Sequence, residues 1–323
     1  MPLIASHYQN THPLLINGHL QTIYPALFRC VPTQYSSERE RIDTPDQDFL
    51  DLDWYKSPRS STLVIISHGL EGDTQRPYML GMANYLFQQE LNVLCWNYRS
   101  CSEEMNRQKR FYHLGATDDL HWVIQHALNT LSVETLYLVG FSAGGNLTLK
   151  YLGEQPTRLP AALKKAVVFS VPCNLSKGAQ HLKRWQNFVY ERRFMKSLRH
   201  KIQTKAAVTT HQFDLQRLRH IKHIWDFDEY FTAPLHGFEG AEDYYARAGS
   251  ERFIPSITTP TLLVNALNDP FLPSACYPFE EAQASQYVYL ETPDTGGHCG
   301  FYQKGGWYWS EARAYEFLTT AIS

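Results

Sequence analysis

Short apolar segments alternate with amphipathic helical patterns along most of the chain, and this alternation constrains the fold more than any other feature. The apolar segments are rich in β-branched and aromatic residues and lie at Leu63–Ser67, Val93–Trp96, Leu136–Val139, Ala166–Ser170 and Leu262–Asn265, with a weaker one at Tyr287–Leu290. Such segments are typical of strands buried on both faces. The helical patterns between and after them are Tyr78–Gln89, Thr117–Asn129, Gly145–Gly153 and Ser310–Ala321. We therefore predict an α/β fold with a mostly parallel central sheet and helices on both faces.

Three regions depart from this alternation. Residues 1–30 show no regular pattern and are predicted to be irregular. Residues 39–56 alternate apolar and polar positions around a break at Thr44-Pro45-Asp46, which predicts an antiparallel hairpin. From about 174 to 256 the chain is rich in Lys, Arg, His and Gln, with apolar residues at helical spacing. Because a strand follows, we predict a single domain over residues 1–323 with a helical cap inserted at about 174–256.

A serine lies where one predicted strand meets a helix. The segment Gly140-Phe141-Ser142-Ala143-Gly144 follows the strand that ends at Val139. A nucleophilic serine on such a sharp turn has a strained backbone, so the residues two positions away must be small. The turn also directs the hydroxyl toward backbone N–H groups at a helix N-terminus. We predict that Ser142 is a nucleophile; the alternative is a glycine-rich turn with an incidental serine.

A serine hydroxyl needs a base, and the base needs a carboxylate that orients it. Asp269 follows the strand Leu262–Asn265, and His298 lies in a glycine-rich loop after the strand Tyr287–Leu290. The acid and the histidine therefore follow the serine in the chain order of a strand–turn–helix serine enzyme. We predict that Asp269 and His298 complete a catalytic triad. The alternatives are a turn-forming aspartate before Pro270 and an unrelated member of the 14 histidines.

The oxyanion of an acyl-transfer reaction needs backbone donors. His68-Gly69-Leu70 follows the first buried strand and resembles the short segment that supplies one donor in such enzymes. The predicted donors are the N–H groups of Leu70 and Ala143. A plain turn at the strand end is the competing interpretation.

Several motifs together resemble those of the YheT-like α/β-hydrolases and their ABHD1/2/3-type relatives. They are Asn17-Gly18-His19-Leu20-Gln21-Thr22, His68-Gly69-Leu70-Glu71-Gly72, Asn97–Ser102, Asn106-Arg107, Tyr112-His113, Gly140–Leu147, Asn268–Phe271 and Gly296-Gly297-His298. They span nearly the whole chain in the family's order. The resemblance implies an esterase-like enzyme that acts on acyl esters without a cofactor, with Ser142, Asp269 and His298 as its triad. The chain departs from the family at Ser100 and Glu103, where glycine is usual, and at Ala143, where leucine is usual.

The main hypothesis is thus a serine hydrolase that cleaves carboxylic esters through an acyl-enzyme. The predicted cap and an aromatic content of 14% favour an apolar acyl chain. A thioesterase, a lipase or an acyltransferase would use the same residues. The hypothesis from another class is a non-catalytic lipid-binding or membrane-docking protein on the same scaffold.

Composition limits the classes of molecule that the chain is expected to bind. A formal net charge of −2 gives no field that favours nucleic acid, and we predict a small-molecule acyl ester as substrate, with the oligomeric state open. The basic and aromatic segment 183–199 either faces solvent as part of the cap or makes a weak peripheral membrane contact.

The six cysteines form no CxxC pair, and we find neither a secretory signal nor a spanning segment, so we expect a cytoplasmic protein.

We expect no metal and no cofactor. Asp118 and Asp119, with His113 and His121 nearby, suggest a metal site, but adjacent acids at a helix start more often complement the helix dipole. Arg99, Arg107 and Arg110 are predicted to pair with carboxylates rather than to bind an anionic head group. Cys299 is rejected as a nucleophile because no strand–turn–helix motif surrounds it.

Overall fold

The computed structural model describes residues 3–31 and 34–321. Within these residues lie nine strands: β1 (Leu3–Ile4), β2 (Glu38–Asp43), β3 (Phe49–Tyr55), β4 (Thr62–Ser67), β5 (Asn92–Asn97), β6 (Thr135–Phe141), β7 (Leu163–Phe169), β8 (Thr261–Val264) and β9 (Val288–Glu291). They also contain twelve α-helices: α1 (Gly18–Phe28), α2 (Pro77–Gln88), α3 (Thr117–Thr130), α4 (Ala143–Glu154), α5 (Leu175–Leu182), α6 (Phe188–Val208), α7 (Leu215–His220), α8 (Ile224–Phe227), α9 (Ala233–His236), α10 (Ala241–Ala248), α11 (Phe279–Ala284) and α12 (Trp309–Thr319).

The strands form one sheet in the order β1-β9-β8-β7-β6-β4-β5-β3-β2. Pairing is parallel from β1 to β5, and β3 runs antiparallel to both β5 and β2. The predicted mostly parallel sheet is thereby confirmed, and the predicted hairpin is the β2–β3 pair. The strands that carry the candidate catalytic residues, β6, β8 and β9, all run in one direction, so their carboxyl ends meet at one edge of the sheet.

Helices cover both faces of the sheet, as predicted. Strand β4 shows why its sequence is apolar at almost every position. Leu63 and Ile65 belong to a core shared with α3 and α4, whereas Val64 and Ile66 belong to a core shared with α2 and α12. A strand covered on both sides has no solvent-facing positions, and a continuous apolar segment results.

The prediction that residues 1–30 are irregular is wrong for part of that region. Strand β1 pairs with β9, and helix α1 begins after Asn17, whose side chain accepts a hydrogen bond of 2.9 Å from the Leu20 amide. The sequence hides this helix because Pro25 lies inside it, and because few of its side chains face a core. Its buried positions contact loops from distant parts of the chain, and that contact has no local signature.

Helices α5 to α10 lie between β7 and β8, and residues 174–256 are called the insert below. Helix α8, a π-helical turn at Asp228–Thr232 and α9 follow one another without a break. Single π turns inside helices often lie at functional sites. Among the residues that the structure describes, no helix is both long enough and apolar enough to cross a membrane.

Candidate active site

Ser142 occupies the turn between β6 and α4. Its backbone has φ 53° and ψ −116°, outside the usual range for a non-glycine residue, and its amide donates to the Phe169 carbonyl at 2.8 Å. The flanking glycines are needed for space: a Cβ on Gly140 would lie 2.5 Å from the Gly144 carbonyl oxygen, and a Cβ on Gly144 would collide with the Ser67 carbonyl. The strand, strained turn and helix therefore occur in the predicted order.

The structure brings the three candidate catalytic side chains into one hydrogen-bonded chain. Nε2 of His298 lies 2.9 Å from Oγ of Ser142, and Nδ1 lies 2.8 Å from Oδ2 of Asp269. The Asp269 side chain is fully buried, and that of His298 is 10% exposed. The Phe271 ring stacks on the imidazole with centroids 4.0 Å apart, and its amide donates to the other Asp269 carboxylate oxygen. Both ring nitrogens of His298 thus have partners, and the ring has a fixed plane.

Two opposing effects act on the pKa of His298. Burial alone would lower it, because an imidazolium is poorly solvated inside the protein, but the adjacent Asp269 carboxylate attracts the charge and raises the pKa above its usual value. A buried carboxylate that stabilises a protonated imidazole suits a histidine that must accept a proton during a reaction.

Helix α1 holds the loop that carries His298. The Thr22 hydroxyl accepts a hydrogen bond from the His298 amide at 2.9 Å. The amide oxygen of Gln21, which is buried, accepts from the Gly296 amide at 2.8 Å and from the Asn268 side chain at 2.9 Å. Sequence reasoning assigned no role to either residue, although both lie in the Asn17–Thr22 motif. That motif was the available signal.

The two candidate oxyanion donors lie beside Ser142. Ala143 is the first residue of α4, and a Cβ on Gly69 would lie 3.3 Å from the Ser142 Cβ, which places the His68-Gly69-Leu70 segment against the serine. Within the described residues, neither the Leu70 nor the Ala143 amide has an acceptor. The amides on either side of Leu70, in contrast, are hydrogen-bonded. The Gly69 amide donates to the Tyr78 hydroxyl, and the Glu71 amide donates to the Tyr112 hydroxyl, both at 2.9 Å.

Glu71 links this loop to the insert. Its carboxylate is paired with Nζ of Lys201 at 2.7 Å and accepts hydrogen bonds from the Tyr112 hydroxyl, at 2.8 Å, and the Ser197 hydroxyl. Lys201 and Ser197 both belong to α6. Burial alone would raise the pKa of Glu71, but the charge of the Lys201 ammonium and the hydrogen bonds from Lys201, Ser197 and Tyr112 lower it below its usual value. Glu71 also has φ 52°, so the turn beside Leu70 is held in an uncommon conformation.

Two cavities reach Ser142. The main cavity has a volume of about 300 Å³, has Ser142 and His298 in its wall, and is lined by both α1 and α6, including Ile23, Leu27 and Val189. The side cavity, of about 70 Å³, lies toward Ala143 and α5 and ends near Asp228. Burial raises the pKa of Asp228 to about 6, although the Thr232 and Tyr245 hydroxyls donate to its carboxylate.

The other residues singled out from the sequence have structural partners. Arg99, whose side chain is 1% exposed, pairs with Asp46, Asp48 and Asp119; Arg107 pairs with Asp43, and Arg110 pairs with Asp46. These are the carboxylate contacts that the sequence predicted. Ser100 has φ 60°, which explains why glycine would suit that position.

The residues of the possible metal site do not converge. Asp118 and Asp119 lie in the first turn of α3. His121 faces the Tyr151 hydroxyl at 3.0 Å, and His113 packs against the His236 ring. Across residues 3–31 and 34–321, no three His, Cys, Asp or Glu side chains are grouped so that they could hold a metal ion. The six cysteines are free thiols.

Comparisons with known proteins identify the fold family of the chain. Residues 62–305 match the family model described as alpha/beta hydrolase fold. The candidate esterase YheT of Escherichia coli (strain K12) is 32% identical over 316 residues, which cover 95% of this chain and 91% of that protein. The phospholipase ABHD3 of Mus musculus is 30% identical over 281 residues, 84% of this chain and 67% of that protein. Among solved structures, the Pyrococcus furiosus esterase Pf2001 superposes with a TM-score of 0.60 at 17% identity, over 88% of this chain and 90% of that one.

Proposed function

Because this chain belongs to the α/β-hydrolase fold family, we propose that it is a serine hydrolase that cleaves carboxylic esters with an apolar acyl chain. The observation that carries the proposal is the hydrogen-bonded chain from Ser142 through His298 to the buried Asp269, at the wall of a cavity. The esterase and phospholipase named above, which are 32% and 30% identical to the chain over the aligned residues, support the same class of reaction.

The proposed reaction has two halves. Oγ of Ser142 attacks the ester carbonyl carbon while Nε2 of His298 takes the hydroxyl proton, and Asp269 stabilises the imidazolium that forms. The carbonyl π electrons move to the oxygen, which receives hydrogen bonds from the Leu70 and Ala143 amides. Collapse of this intermediate breaks the bond to the alcohol, which leaves with the proton from His298. Water, deprotonated by His298, then attacks the acyl-enzyme and releases the acid and Ser142.

We further propose that the chain is a single domain and that the insert acts as its cap. The main cavity supports this proposal because part of its lining comes from α6, at Val189 and Phe194, and part comes from α1, at Ile23 and Leu27. These side chains are apolar, and a volume of about 300 Å³ reaches the lower end of the range of small-molecule sites. We assign the acyl chain to this cavity.

Labelling with a fluorophosphonate probe tests the nucleophile. Native protein should be labelled, and Ser142→Ala should not. Cys299→Ala is the matched control, because the Cys299 thiol also lines the main cavity, and this variant should still be labelled. If Ser142→Ala is labelled as strongly as native protein, or native protein is not labelled at all, the proposal fails.

Hydrolysis of a p-nitrophenyl ester series of increasing chain length tests the acyl assignment. We expect kcat/KM to increase from the acetate to longer acyl chains. Ile23→Trp, which narrows the main cavity, should lower kcat/KM about tenfold or more for long chains and little for the acetate. An equal effect on all esters would show that the acyl chain lies elsewhere.

A further inference from the structure

Large apolar side chains are exposed around the mouth of the main cavity. Leu27 lies at the end of α1 and Val189 at the start of α6; both line the cavity, and they are 65% and 52% exposed. Three residues nearby in the chain are also apolar and exposed: Phe28 is 65% exposed, Phe188 57% and Trp185 79%. Leu27 and Val189 line the same cavity, and the two helices are in contact near their first turns, where the His19 ring stacks on the Tyr190 ring and bonds to its hydroxyl at 3.1 Å. Exposed aromatic and aliphatic residues beside a cavity are typical of an interaction site.

Basic residues surround this apolar group. Within the described residues, the ion pairs of α6 are Lys201–Glu71 and Glu191–His223. Several exposed cations on and just before α6 are therefore left without a carboxylate partner, among them Arg184, Arg192, Arg193 and Lys196. An apolar group that contains Trp and Phe and is bordered by cations is complementary to the headgroup region of a bilayer that contains anionic lipids.

We propose that Leu27, Phe28, Trp185, Phe188 and Val189, together with the exposed cations of the α6 segment, form a docking face for anionic lipid bilayers. Docking would bring the mouth of the main cavity against the membrane. An apolar acyl chain could then pass from lipid to Ser142 without crossing water; this last step rests on the proposed function, whereas docking does not.

Co-sedimentation with phosphatidylcholine vesicles, with and without phosphatidylglycerol, tests the docking face. Trp185→Ser/Phe188→Ser should lower the partition coefficient about tenfold or more on both vesicles, because two partly inserted aromatic side chains are lost. Arg184→Gln/Arg192→Gln should lower it only on vesicles that contain phosphatidylglycerol, by about fivefold per cation at low salt. Val208→Ser is the control, because Val208 is apolar, is 65% exposed and lies at the opposite end of α6; its binding should equal that of wild type.

Three results would overturn the proposal: wild-type protein that does not sediment with either vesicle, an aromatic double variant that binds like wild type, or a Val208→Ser variant that loses binding to the same extent. If the aromatic variant dissociates a dimer and leaves vesicle binding unchanged, the face binds a second copy of the chain instead. Hydrolysis of a water-soluble short-chain ester separates the two proposals. The docking variants should retain this activity, because their substitutions lie outside the cavity lining. If Ser142→Ala retained the activity, the proposed function would be refuted, whereas the docking proposal would still be decided by vesicle binding alone.

Discussion

The contact between Lys201 and Glu71 predicts that a substitution in the insert impairs both folding and catalysis. The two side chains are 11% and 4% exposed, and their charged atoms are 2.7 Å apart. Lys201→Met keeps most of the apolar volume and removes the ammonium, which leaves a buried carboxylate without its cation. Loss of one partner of a buried ion pair costs about 3 to 5 kcal/mol. Because the Tyr112 and Ser197 hydroxyls still donate to Glu71, we expect a loss in the free energy of unfolding at the lower end of this range, about 3 kcal/mol.

The catalytic effect should follow from the position of Glu71. It is the residue after Leu70, the proposed oxyanion donor, and loss of one such donor lowers kcat by about 100- to 1,000-fold in comparable enzymes. Lys201→Met displaces the donor without removing it, so we expect a decrease in kcat of about ten- to 100-fold with a smaller change in KM. Urea denaturation and hydrolysis of a short-chain ester measure the two effects.

The pH dependence gives a sharper test. The folded-state pKa of Glu71 is lowered, so its contribution to the free energy of unfolding is present above the usual glutamate pKa and is lost as the pH falls through the folded-state value. Without Lys201 that pKa rises. The difference in unfolding free energy between wild type and Lys201→Met should therefore be largest at neutral pH and shrink in acid.

Two variants serve as controls for this prediction. Lys196→Met removes an exposed cation from the same helix and should change the unfolding free energy by less than about 0.5 kcal/mol. Glu71→Gln/Lys201→Met removes both charges and should recover most of the stability lost by the single variant. If the unfolding free energy of Lys201→Met is within about 1 kcal/mol of wild type, or if its deficit does not change with pH, the ion pair does not couple the insert to the His68-Gly69-Leu70 segment.

Three other substitutions test separate parts of the site. Asp269→Asn should lower kcat about 1,000- to 10,000-fold. Because the carboxylate raises the pKa of His298 and only the neutral imidazole accepts a proton, the rising limb of the pH–rate profile should also move to lower pH. A limb at the wild-type pH would contradict this prediction. Asp228→Asn removes an acid whose pKa burial raises from 3.8 to about 6. Such an acid stabilises the fold while it is protonated, and that contribution is lost as the pH rises through 6. Between pH 4 and 8, the free energy of unfolding of the variant, measured by thermal or urea unfolding, should therefore rise by up to about 3 kcal/mol relative to that of wild type. Gln21→Leu leaves the Gly296 amide and the Asn268 side-chain amide without an acceptor. We expect the free energy of unfolding to fall by about 2 to 4 kcal/mol and kcat to fall as well. A wild-type unfolding free energy together with a wild-type kcat would show that α1 does not position His298.

The fold and the positions of the candidate catalytic residues could be predicted because both depend on short patterns. A parallel sheet with covered faces leaves continuous apolar segments such as Leu63–Ser67, and parallel strands place their carboxyl ends at one edge. A serine, an aspartate and a histidine that each follow such a strand must then lie near one another. In the structure, the two hydrogen bonds that join Ser142, His298 and Asp269 have this geometry.

The contacts that hold this arrangement in place could not be predicted in the same way. Gln21 bonds to Gly296, 275 positions away, and Lys201 bonds to Glu71, 130 positions away. Neither contact has a period or a spacing that a local pattern reveals. Helix α1 was missed for the same reason: a helix whose buried side chains contact loops instead of a core lacks the apolar stripe by which helices are recognised.

Helices α1 and α6 each line the main cavity and also hold one of the loops beside Ser142. Helix α1 lines the main cavity with Ile23 and holds the His298 loop with Thr22. Helix α6 lines the same cavity with Phe194 and holds Glu71 with Lys201. A ligand that separates the two helices must therefore also move the groups that position the base and the proposed oxyanion donor. Chain length should then affect kcat as well as KM, because an acyl chain that fits the cavity leaves both helices in the positions that the reaction needs.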